Sequence, residues 1–167
     1  MEDWELDKKR KGQLPIYQFW YRVYKTIPTY NKPLKWIIKK IYILSEFFYG
    51  CEIHPDSEIG AGLYLGHPWH ITINGKAKIG KNCNIHKNAT IGQESRGERI
   101  GAPTIGNSVW IGINSTIVGN IRIGDDVMIA PNSFVNCDVP AHSIVFGNPC
   151  IIRHKQNATD GYVNNIV

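Results

Sequence analysis

From residue 53 onward, aliphatic side chains recur at every sixth position along the chain. They are Ile53, Ile59, Leu65, Ile71, Ile73, Ile79, Ile85, Ile91, Ile105, Ile111, Ile117, Ile123, Ile129 and Val135. The rhythm slips twice, by two residues after Ile71 and by a longer stretch after Ile91. A period of six fits neither the helical turn of about 3.6 residues nor the two-residue alternation of a strand. It predicts short strands that turn a corner every six residues. Three such strands close a triangular coil, which stacks on the next about 4.8 Å away.

The residues between the aliphatic positions suit the corners of such a prism. Glycine often follows the aliphatic residue directly, as in Ile59-Gly60 and Ile111-Gly112. Further corner candidates are the asparagines Asn82, Asn84, Asn107, Asn114 and Asn132. Both residue types adopt positive φ readily, as tight corners require. With three six-residue units per coil, residues 51–140 are predicted to form about five coils around an aliphatic core.

Residues 93–104, with the sequence QESRGERIGAPT, interrupt the repeat between Ile91 and Ile105. The segment is polar and contains glycine and proline, so it is predicted to be a loop. A repeat protein that breaks phase often does so on its binding face, and loops on rigid scaffolds often carry function. The sequence therefore favours a functional loop over a tolerated surface insertion.

The first 50 residues have a different, helical pattern. Aromatic and aliphatic residues recur at helical spacing over Ile16–Thr26. Pro28 and Pro33 break this pattern because proline lacks the amide donor and clashes with the preceding turn. A second helix is predicted from Pro33 or the next residue to about Tyr49, with Gly50 as its C-cap.

Composition adds a domain estimate and a charge asymmetry. With 167 residues, of which 43% are hydrophobic and 20% charged, the chain has the composition of a globular domain. The predicted division is a helical segment (1–50), a β-helix (51–154) with the extruded loop 93–104, and a polar, loosely held tail (155–167). Residues 1–50 hold ten Lys and Arg against five Asp and Glu, so the whole formal net charge of +5 lies there. A basic, aromatic segment is typical of contact with nucleic acid or a membrane surface.

Several classes are disfavoured by the remaining features of the sequence. No uncharged apolar run reaches the roughly 18 residues of a membrane span. The N-terminus, MEDWELDKKRKG, is too polar for a secretory signal, so we expect a cytoplasmic protein. The four cysteines contain no CxxC pair, which argues against a zinc knuckle or a disulfide framework. No nucleic-acid-binding motif accompanies the basic residues, so no nucleic-acid partner is predicted.

Four segments add a family resemblance to the repeat. They are Glu52-Ile53-His54-Pro55, Gly66-His67, Ala89-Thr90-Ile91-Gly92, and the stretch from Ile105 to Gly147-Asn148-Pro149. Over residues 50–154 the chain resembles the left-handed β-helix acyltransferases with hexapeptide repeats, and most of all their serine acetyltransferase branch. The resemblance implies an all-β, left-handed parallel β-helix preceded by a short α-helical segment. It also implies an acetyl-CoA-dependent O-acetyltransferase that uses no metal.

The resemblance assigns the general base to His67. In these enzymes a histidine at this position takes the proton of the acceptor hydroxyl, which then attacks the thioester, and a neutral imidazole suits that task. A carboxylate orients the histidine, and the family's aspartate is replaced here by Glu52, whose longer side chain changes the geometry. The acidic residue that usually precedes the histidine is replaced by Gly66. From the phase of the repeat, His86 is expected to line the same cleft as a substrate contact.

Loop 93–104 departs from the serine enzymes, which grip the serine carboxylate with an Arg-His pair. Arg99 matches the arginine, whereas Ile100 and Gly101 stand where the histidine would be. An arginine in a loop can bind a carboxylate or phosphate of the acceptor. Arg99 is therefore predicted to bind substrate, with a solvated loop cation as the plain alternative.

Acetyl-CoA in the resembled family lies in a groove between neighbouring subunits, and its pantetheine arm bonds main-chain groups at coil corners. Small residues let such an arm approach the backbone closely. The matching positions are Gly92, Gln93, Gly112, Ile113, Ala130, Pro131, Gly147, Asn148 and Pro149, followed by Arg153 for the nucleotide phosphates. Pro131 has no amide donor to offer. A groove shared between chains implies a homotrimer with active sites between subunits.

The acceptor is predicted from the N-terminal segment, which is shorter than the helical domain of the serine enzymes. This layout resembles the acetyltransferases of capsular and other exopolysaccharide pathways. The prediction is transfer to a sugar hydroxyl of a polysaccharide intermediate, with serine O-acetyltransferase as the alternative. Residues 14–49 would suit peripheral contact with the inner face of the cell membrane, or a helical lid packed on the prism. The sequence leaves both open.

Two other classes of function remain as alternatives. A metal hydratase of the γ-carbonic anhydrase type uses the same fold and needs three histidines on zinc. His67, His70 and His86 are the only possible set, and their spacing does not resemble that family's. A non-catalytic scaffold would keep acetyl-CoA binding without activity.

Overall fold

The computed structural model describes residues 1–167 and consists of three helices followed by fifteen short strands. The helices are α1 (Glu2–Lys9), α2 (Ile16–Thr26) and α3 (Lys32–Phe47). The strands are β1 (Glu52–Ile53), β2 (Glu58–Ile59), β3 (Tyr64–Gly66), β4 (Thr72–Ile73), β5 (Lys78–Ile79), β6 (Asn84–His86), β7 (Thr90–Gly92), β8 (Thr104–Ile105), β9 (Trp110–Ile111), β10 (Thr116–Val118), β11 (Arg122–Ile123), β12 (Val127–Ile129), β13 (Phe134–Val135), β14 (Ser143–Phe146) and β15 (Ile151–His154).

The strands form the three faces of a prism. Face 1 has the order β1-β4-β7-β10-β13, face 2 the order β2-β5-β8-β11, and face 3 the order β3-β6-β9-β12-β14-β15. Every pair is parallel except β14 with β15. The register stacks the aliphatic positions on one another, as in Ile53, Ile73 and Ile91 on face 1, and these side chains are buried. The predicted solenoid of about five coils, with short N-terminal helices, is confirmed.

The corners carry the polar residues that the sequence placed there. The corner between faces 2 and 3 has positive φ in every coil, at Gly62, Asn82, Ser108, Asp126 and His142. At the corner between faces 3 and 1, Asn88 Nδ2 donates to Asn114 Oδ1 at 2.8 Å, and Asn114 Nδ2 donates to Asn132 Oδ1 at 3.2 Å. These amides satisfy one another along the stack, which explains the choice of asparagine over glycine here.

Both slips of the repeat lie at the edges of face 1. Residues 67–71 connect β3 to β4, whereas only residues 87–89 connect β6 to β7 one coil later. The longer slip is the loop between β7 and β8, where Glu94 and Gly101 exchange two backbone hydrogen bonds of 2.8 and 3.0 Å. Face 1 is therefore bordered by an enlarged corner on one side and by a closed loop on the other.

The N-terminal helices cover the open edge of the first coil. Arg22 donates to the carbonyl oxygens of Ile59 and Gly60, both at 2.7 Å, and Gln18 donates to that of Leu63 at 3.1 Å. These carbonyls belong to the exposed side of the first coil, which has no neighbouring strand to pair with. An unpaired strand edge would otherwise present free backbone groups. Some side chains of the basic, aromatic segment 1–50 therefore cap the β-helix.

A buried ion pair holds this cap in place. Asp7 is fully buried and accepts hydrogen bonds from Arg22 Nε at 2.8 Å, from Gln18 Nε2 at 3.0 Å and from the Leu63 amide at 2.9 Å. Its carboxylate therefore has partners for both oxygens, which is the condition under which a buried charge is tolerated. This contact fixes α1, a helix that the sequence pattern did not single out.

The C-terminal tail is not loosely held, and that expectation is wrong. Asp126 accepts hydrogen bonds from the amides of Ala158 and Thr159 at 3.0 and 2.9 Å, and from the Thr159 hydroxyl. Farther along, Asn82 Nδ2 donates to the carbonyl of Val167 at 2.9 Å. The corner side chains between faces 2 and 3 therefore bind the tail along the prism.

The division of the chain at residues 50 and 154 stays a prediction. No helix is both long and apolar enough to cross a membrane.

Glu46 gives the cap a pH dependence. Burial raises the pKa of its carboxyl from 4.5 to about 7, although the Tyr42 hydroxyl and the Ile53 amide favour the charged form. Because the folded state holds the proton more tightly than the unfolded chain, the contribution to stability is complete below about pH 4.5 and is lost as the pH rises through about 7. We expect Glu46→Gln to flatten this slope and to stabilise the fold at pH 8 by about 1–3 kcal/mol.

Urea unfolding between pH 5 and pH 8 measures this effect. The matched control is Glu2→Gln, at an exposed position in α1. Equal slopes for wild type and Glu46→Gln would contradict the prediction.

Candidate active site

His67 stands exposed at the enlarged corner between faces 3 and 1. Its φ is +54°, which is uncommon for a non-glycine residue. The cap fixes the surrounding backbone, since the His70 amide donates to the Tyr49 carbonyl at 3.0 Å and the Tyr17 hydroxyl donates to the Pro68 carbonyl at 3.4 Å. A strained conformation that its surroundings maintain is typical of functional positions. The two extra corner residues thus place an imidazole on the outside of the prism.

Gly66 makes room for His86. Strands β3 and β6 pair Gly66 with His86, and a Cβ atom at position 66 would lie 2.3 Å from His86 Nδ1. The acidic side chain that the resembled family carries before its histidine has no space here, because the His86 ring occupies it. Burial, and after it the neighbouring His67, lower the pKa of His86, so it favours the neutral form. The structure therefore brings His67 and His86 together.

The Nε2 atom of His86 is buried and has no hydrogen-bond partner within the chain. Its ring lies between Tyr64, at 6.2 Å between centroids, and Trp110, at 4.8 Å. A buried polar atom without a partner is costly unless a ligand, water or neighbouring chain satisfies it. This atom is consistent with the predicted substrate contact.

Glu52 does not reach His67 within the single chain. The histidine–carboxylate pairs closer than 4.0 Å are His54 with Asp56 and His142 with Asp126. Glu52 is exposed at the start of face 1, in register with Thr72 of the next coil. It therefore lies on the face that the His67 corner borders, without the orienting contact that the resemblance implies.

Arg99 is positioned by the backbone of its loop. Its carbonyl accepts a hydrogen bond from the Asn120 amide at 2.9 Å, which ties the loop to the next coil. A cleft of about 230 Å³ lies here, and its lining includes Arg96 and Arg99 together with Glu94 and Glu98. No carboxylate lies within 4.0 Å of either guanidinium group, so both remain available to an anion. Arg99 borders face 1 on the side opposite His67.

The predicted cofactor positions form two groups. Gly112, Ile113, Ala130 and Pro131 follow β9 and β12 on the His67 side of face 1, in the third and fourth coils. A Cβ atom at Gly112 would lie 2.6 Å from the Pro131 nitrogen, so close stacking of the coils requires glycine there. The Ile113 amide makes no hydrogen bond within the chain and offers a free donor.

The second group lies on the loop side and at the end of the prism. Gly92 and Gln93 begin the loop after β7, and the Gln93 amide also makes no hydrogen bond within the chain. Gly147, Asn148 and Pro149 form the turn between β14 and β15, with a cis peptide before Pro149, and Arg153 is exposed on β15. Because β14 pairs with β12, residues 147–149 stack on Ala130 and Pro131 at the His67 side of face 1, so only Gly92 and Gln93 lie across this face.

A cavity of about 250 Å³ adjoins His86 and was not predicted. Its walls include Tyr64, Trp110 and Tyr162, together with Arg10 and Lys11. Tyr64 and Trp110 stand in register with Asn84 on face 3, one residue before the core aliphatic position. That shared position was a signal in the sequence, whereas the tail that supplies Tyr162 gave none. No group of three or more His, Cys, Asp or Glu side chains within the chain could hold a metal ion.

The three-faced prism and its six-residue units place the chain in the class of hexapeptide-repeat parallel β-helix proteins. The family model described as bacterial transferase hexapeptide (six repeats) matches residues 102–137. The chain belongs to the hexapeptide-repeat transferase family.

The relatives with similar sequences are serine acetyltransferases. The enzyme of Staphylococcus aureus strain Mu50 is 37% identical over 122 residues, which are 72% of this chain and 56% of that protein. The enzyme of Helicobacter pylori strain 26695 is 34% identical over 112 residues, which are 67% of this chain and 66% of that protein. This chain thus spans about half to two thirds of the length of these curated relatives.

Solved structures with the same fold carry the same name. Serine acetyltransferase from Brucella abortus strain S19 in complex with coenzyme A has a TM-score of 0.69 at 28% identity, and the match covers 84% of this chain and 54% of that one. The Neisseria gonorrhoeae enzyme in complex with serine has a TM-score of 0.65 at 32% identity, and the match covers 82% of this chain and 53% of that one.

The prediction of a sugar hydroxyl of a polysaccharide intermediate as acceptor is wrong. The relatives and the solved structures are serine acetyltransferases, which was the alternative. The wrong acceptor follows from the short basic N-terminal segment, whose layout resembles that of the exopolysaccharide acetyltransferases. The structure gives buried residues of that segment another task, because Arg22 and Gln18 bind the carbonyl groups of the first coil.

Proposed function

We propose that this chain is an acetyl-CoA-dependent O-acetyltransferase with L-serine as acceptor. The observation that carries the proposal is the His67 corner, an exposed imidazole held at positive φ beside the half-buried ring of His86. The names of the relatives supply the reaction, and the chain supplies a base at the matching position.

The proposed chemistry uses His67 as general base. Its imidazole takes the proton of the serine hydroxyl while the hydroxyl oxygen attacks the thioester carbonyl of acetyl-CoA. The carbon–sulfur bond then breaks, and the departing thiolate receives the proton from the imidazolium. The products are O-acetylserine and CoA, so atoms and charge balance. His86 would contact the acceptor through its unpartnered Nε2 atom, and Arg99 would bind its carboxylate.

The predicted cofactor residues fit an extended pantetheine arm. Gly112 and Ala130 leave the corner open for close approach, and the free amides of Ile113 and Gln93 offer hydrogen bonds to its carbonyl groups. Pro131 offers no donor, which weakens this side of the groove. Gly147, Asn148, Pro149 and Arg153 would meet the nucleotide end.

We also propose a homotrimer whose active sites lie between subunits. In the single chain Glu52 does not touch His67, and Gly92 and Gln93 lie across face 1 from the other predicted cofactor positions. A neighbouring prism packed along face 1 would close the space between the His67 corner and the loop. In that arrangement the Glu52 carboxylate would orient the His67 imidazole in the closed site between the two subunits.

Release of CoA thiol from acetyl-CoA, measured with and without L-serine, tests the function. We expect saturable release that requires L-serine, with O-acetylserine identified by mass spectrometry. L-alanine is the matched control, because it keeps the amino and carboxyl groups but lacks the hydroxyl. Release that does not respond to L-serine would overturn the proposed acceptor.

A further inference from the structure

Helix α3 is turned with its apolar side toward solvent. Its buried residues are Tyr42, Ser45 and Glu46, each of which carries a polar group. The exposed hydrophobic residues form what we term the apolar face of α3. They are Leu34, Trp36, Ile37, Ile43, Leu44 and Phe47, together with Phe48, which directly follows the helix. A helix on a water-soluble surface normally shows the opposite arrangement.

The exposure of this face is large. Phe47 is 80% exposed, Phe48 74% and Trp36 62%. The inner side of α3 is occupied with capping, since Glu46 accepts hydrogen bonds from the Ile53 amide at 2.6 Å and from the Tyr42 hydroxyl at 2.7 Å. The fold therefore does not bury the apolar face. A contiguous exposed apolar patch of this kind marks an interaction site.

The charges around the patch have one sign. Helix α3 carries Lys32, Lys39 and Lys40 toward this face, whereas Lys35 Nζ lies 4.8 Å from the centroid of the Tyr24 ring in α2. The only acidic residue between positions 27 and 50 is Glu46, which is buried. Lys40 Nζ lies 5.7 Å from the centroid of the Trp36 ring, so its aliphatic stem runs along the apolar face. The surface offered to a partner is therefore hydrophobic, with Lys40 between Trp36 and Leu44 and with Lys32 and Lys39 at one edge.

We propose that α3 docks this protein on the surface of a bilayer that contains anionic phospholipid, with the helix lying in the plane of the interface. Tryptophan and phenylalanine would enter the boundary between headgroups and acyl chains while the lysines meet the lipid phosphates. With 16 residues the helix is about 24 Å long, and it is not a membrane span. A second copy of the chain fits less well, because it would bring two sets of lysines of the same sign together. This inference does not depend on the proposed reaction.

Flotation of the full chain with lipid vesicles tests the inference. The probes are vesicles of phosphatidylcholine alone and of an equimolar mixture of phosphatidylcholine and phosphatidylglycerol. We expect binding to the mixed vesicles that weakens with added salt, and little binding to phosphatidylcholine alone. Phe47→Ser/Phe48→Ser should lower the partition coefficient by on the order of tenfold or more, because two exposed rings no longer enter the interface.

Charge reversal on α3 gives a second measurement. Lys32→Glu/Lys39→Glu/Lys40→Glu should lower binding to the mixed vesicles by on the order of 100-fold or more. The matched control is Lys76→Glu/Lys81→Glu/Lys87→Glu, since these lysines are exposed on the prism and form no ion pair. All substituted side chains are at least partly exposed, and circular dichroism and Tm confirm that each variant is folded.

Three outcomes would overturn the inference. One is the absence of wild-type binding to either kind of vesicle. Another is equal loss of binding in the α3 and the control charge reversals, which would indicate attraction by net charge alone. In the third, the wild type does not bind vesicles and Phe47→Ser/Phe48→Ser has a lower mass than the wild type in sedimentation. This result would show that the face belongs to an interface between copies.

Discussion

Asparagine in place of His67 is expected to lower kcat for serine-dependent acetyl transfer by about 100- to 10,000-fold, the range that a positioned general base contributes. Asparagine is the suitable replacement because position 67 has a φ of +54°, which asparagine adopts more readily than alanine. The variant should therefore keep the corner while losing the base. The KM for acetyl-CoA should change little, since the predicted cofactor positions do not include His67.

The matched control is His54→Asn, at an exposed histidine in the corner between β1 and β2. Initial rates of CoA release, together with calorimetric binding of CoA, separate loss of chemistry from loss of binding. A His67→Asn variant whose kcat stays within a few-fold of the wild type would refute the assignment of the general base. A loss of the same size in His54→Asn would point to damage to the fold instead.

Removal of the Asp7 carboxylate is expected to destabilise the fold by about 3–5 kcal/mol, the range for breaking a buried ion pair from one side. The substitution Asp7→Ala would leave the Arg22 guanidinium without its closest carboxylate and the Leu63 amide without an acceptor. Both groups are buried, so water would not replace the lost contacts readily. Urea unfolding at neutral pH measures the change in the free energy of unfolding.

Asp3→Ala is the natural control for Asp7→Ala, because both residues belong to α1 and both face Arg22. The Asp3 side chain is 55% exposed and lies 3.4 Å from the Arg22 guanidinium. An exposed pair of this kind contributes at most about 1 kcal/mol. Similar unfolding curves for Asp3→Ala and Asp7→Ala would show that the cap does not depend on burial of the charge.

The prism was predictable because its core repeats. Apart from Ile71, which lies in the enlarged corner, the in-phase aliphatic residues from Ile53 to Val135 stack on their equivalents in the next coil, so one period in the sequence determines three faces. Helix α2 has the predicted bounds, and α3 begins within two residues of the prediction. Helix α1 was not singled out, because it is held by a single buried carboxylate, Asp7, rather than by an apolar stripe.

The tail was misjudged for a related reason. The tail has the polar sequence of a disordered terminus. Its hydrogen-bond partners are side chains of corner residues, whose residue types in the sequence indicate only a turn. Asn82 and Asp126 occupy positive-φ positions and also bind the tail with their side chains. A sequence shows the first property of such residues and hides the second, because the second depends on which distant segment passes nearby.

The candidate site shows the same limit. The position of His67 was available from the sequence through its resemblance, and the phase of the repeat placed His86 nearby. The exchange between Gly66 and His86 was not available, since it depends on the strand pairing that lays one ring over the other backbone. The contact between Glu52 and His67 was expected from a resemblance alone, and the single chain does not make it.

The side-chain cap over the first coil also limits how many coils can stack on one another. Stacked parallel coils are a template that can grow indefinitely, because each coil presents to the next the same ladder of amides and carbonyls that it received. In this chain Arg22, Gln18 and Asp7 occupy that ladder at one end. The cap is therefore a terminator of polymerisation. If the cap came loose, the first coil would expose this ladder, and other copies of the chain could stack on it to form end-to-end filaments.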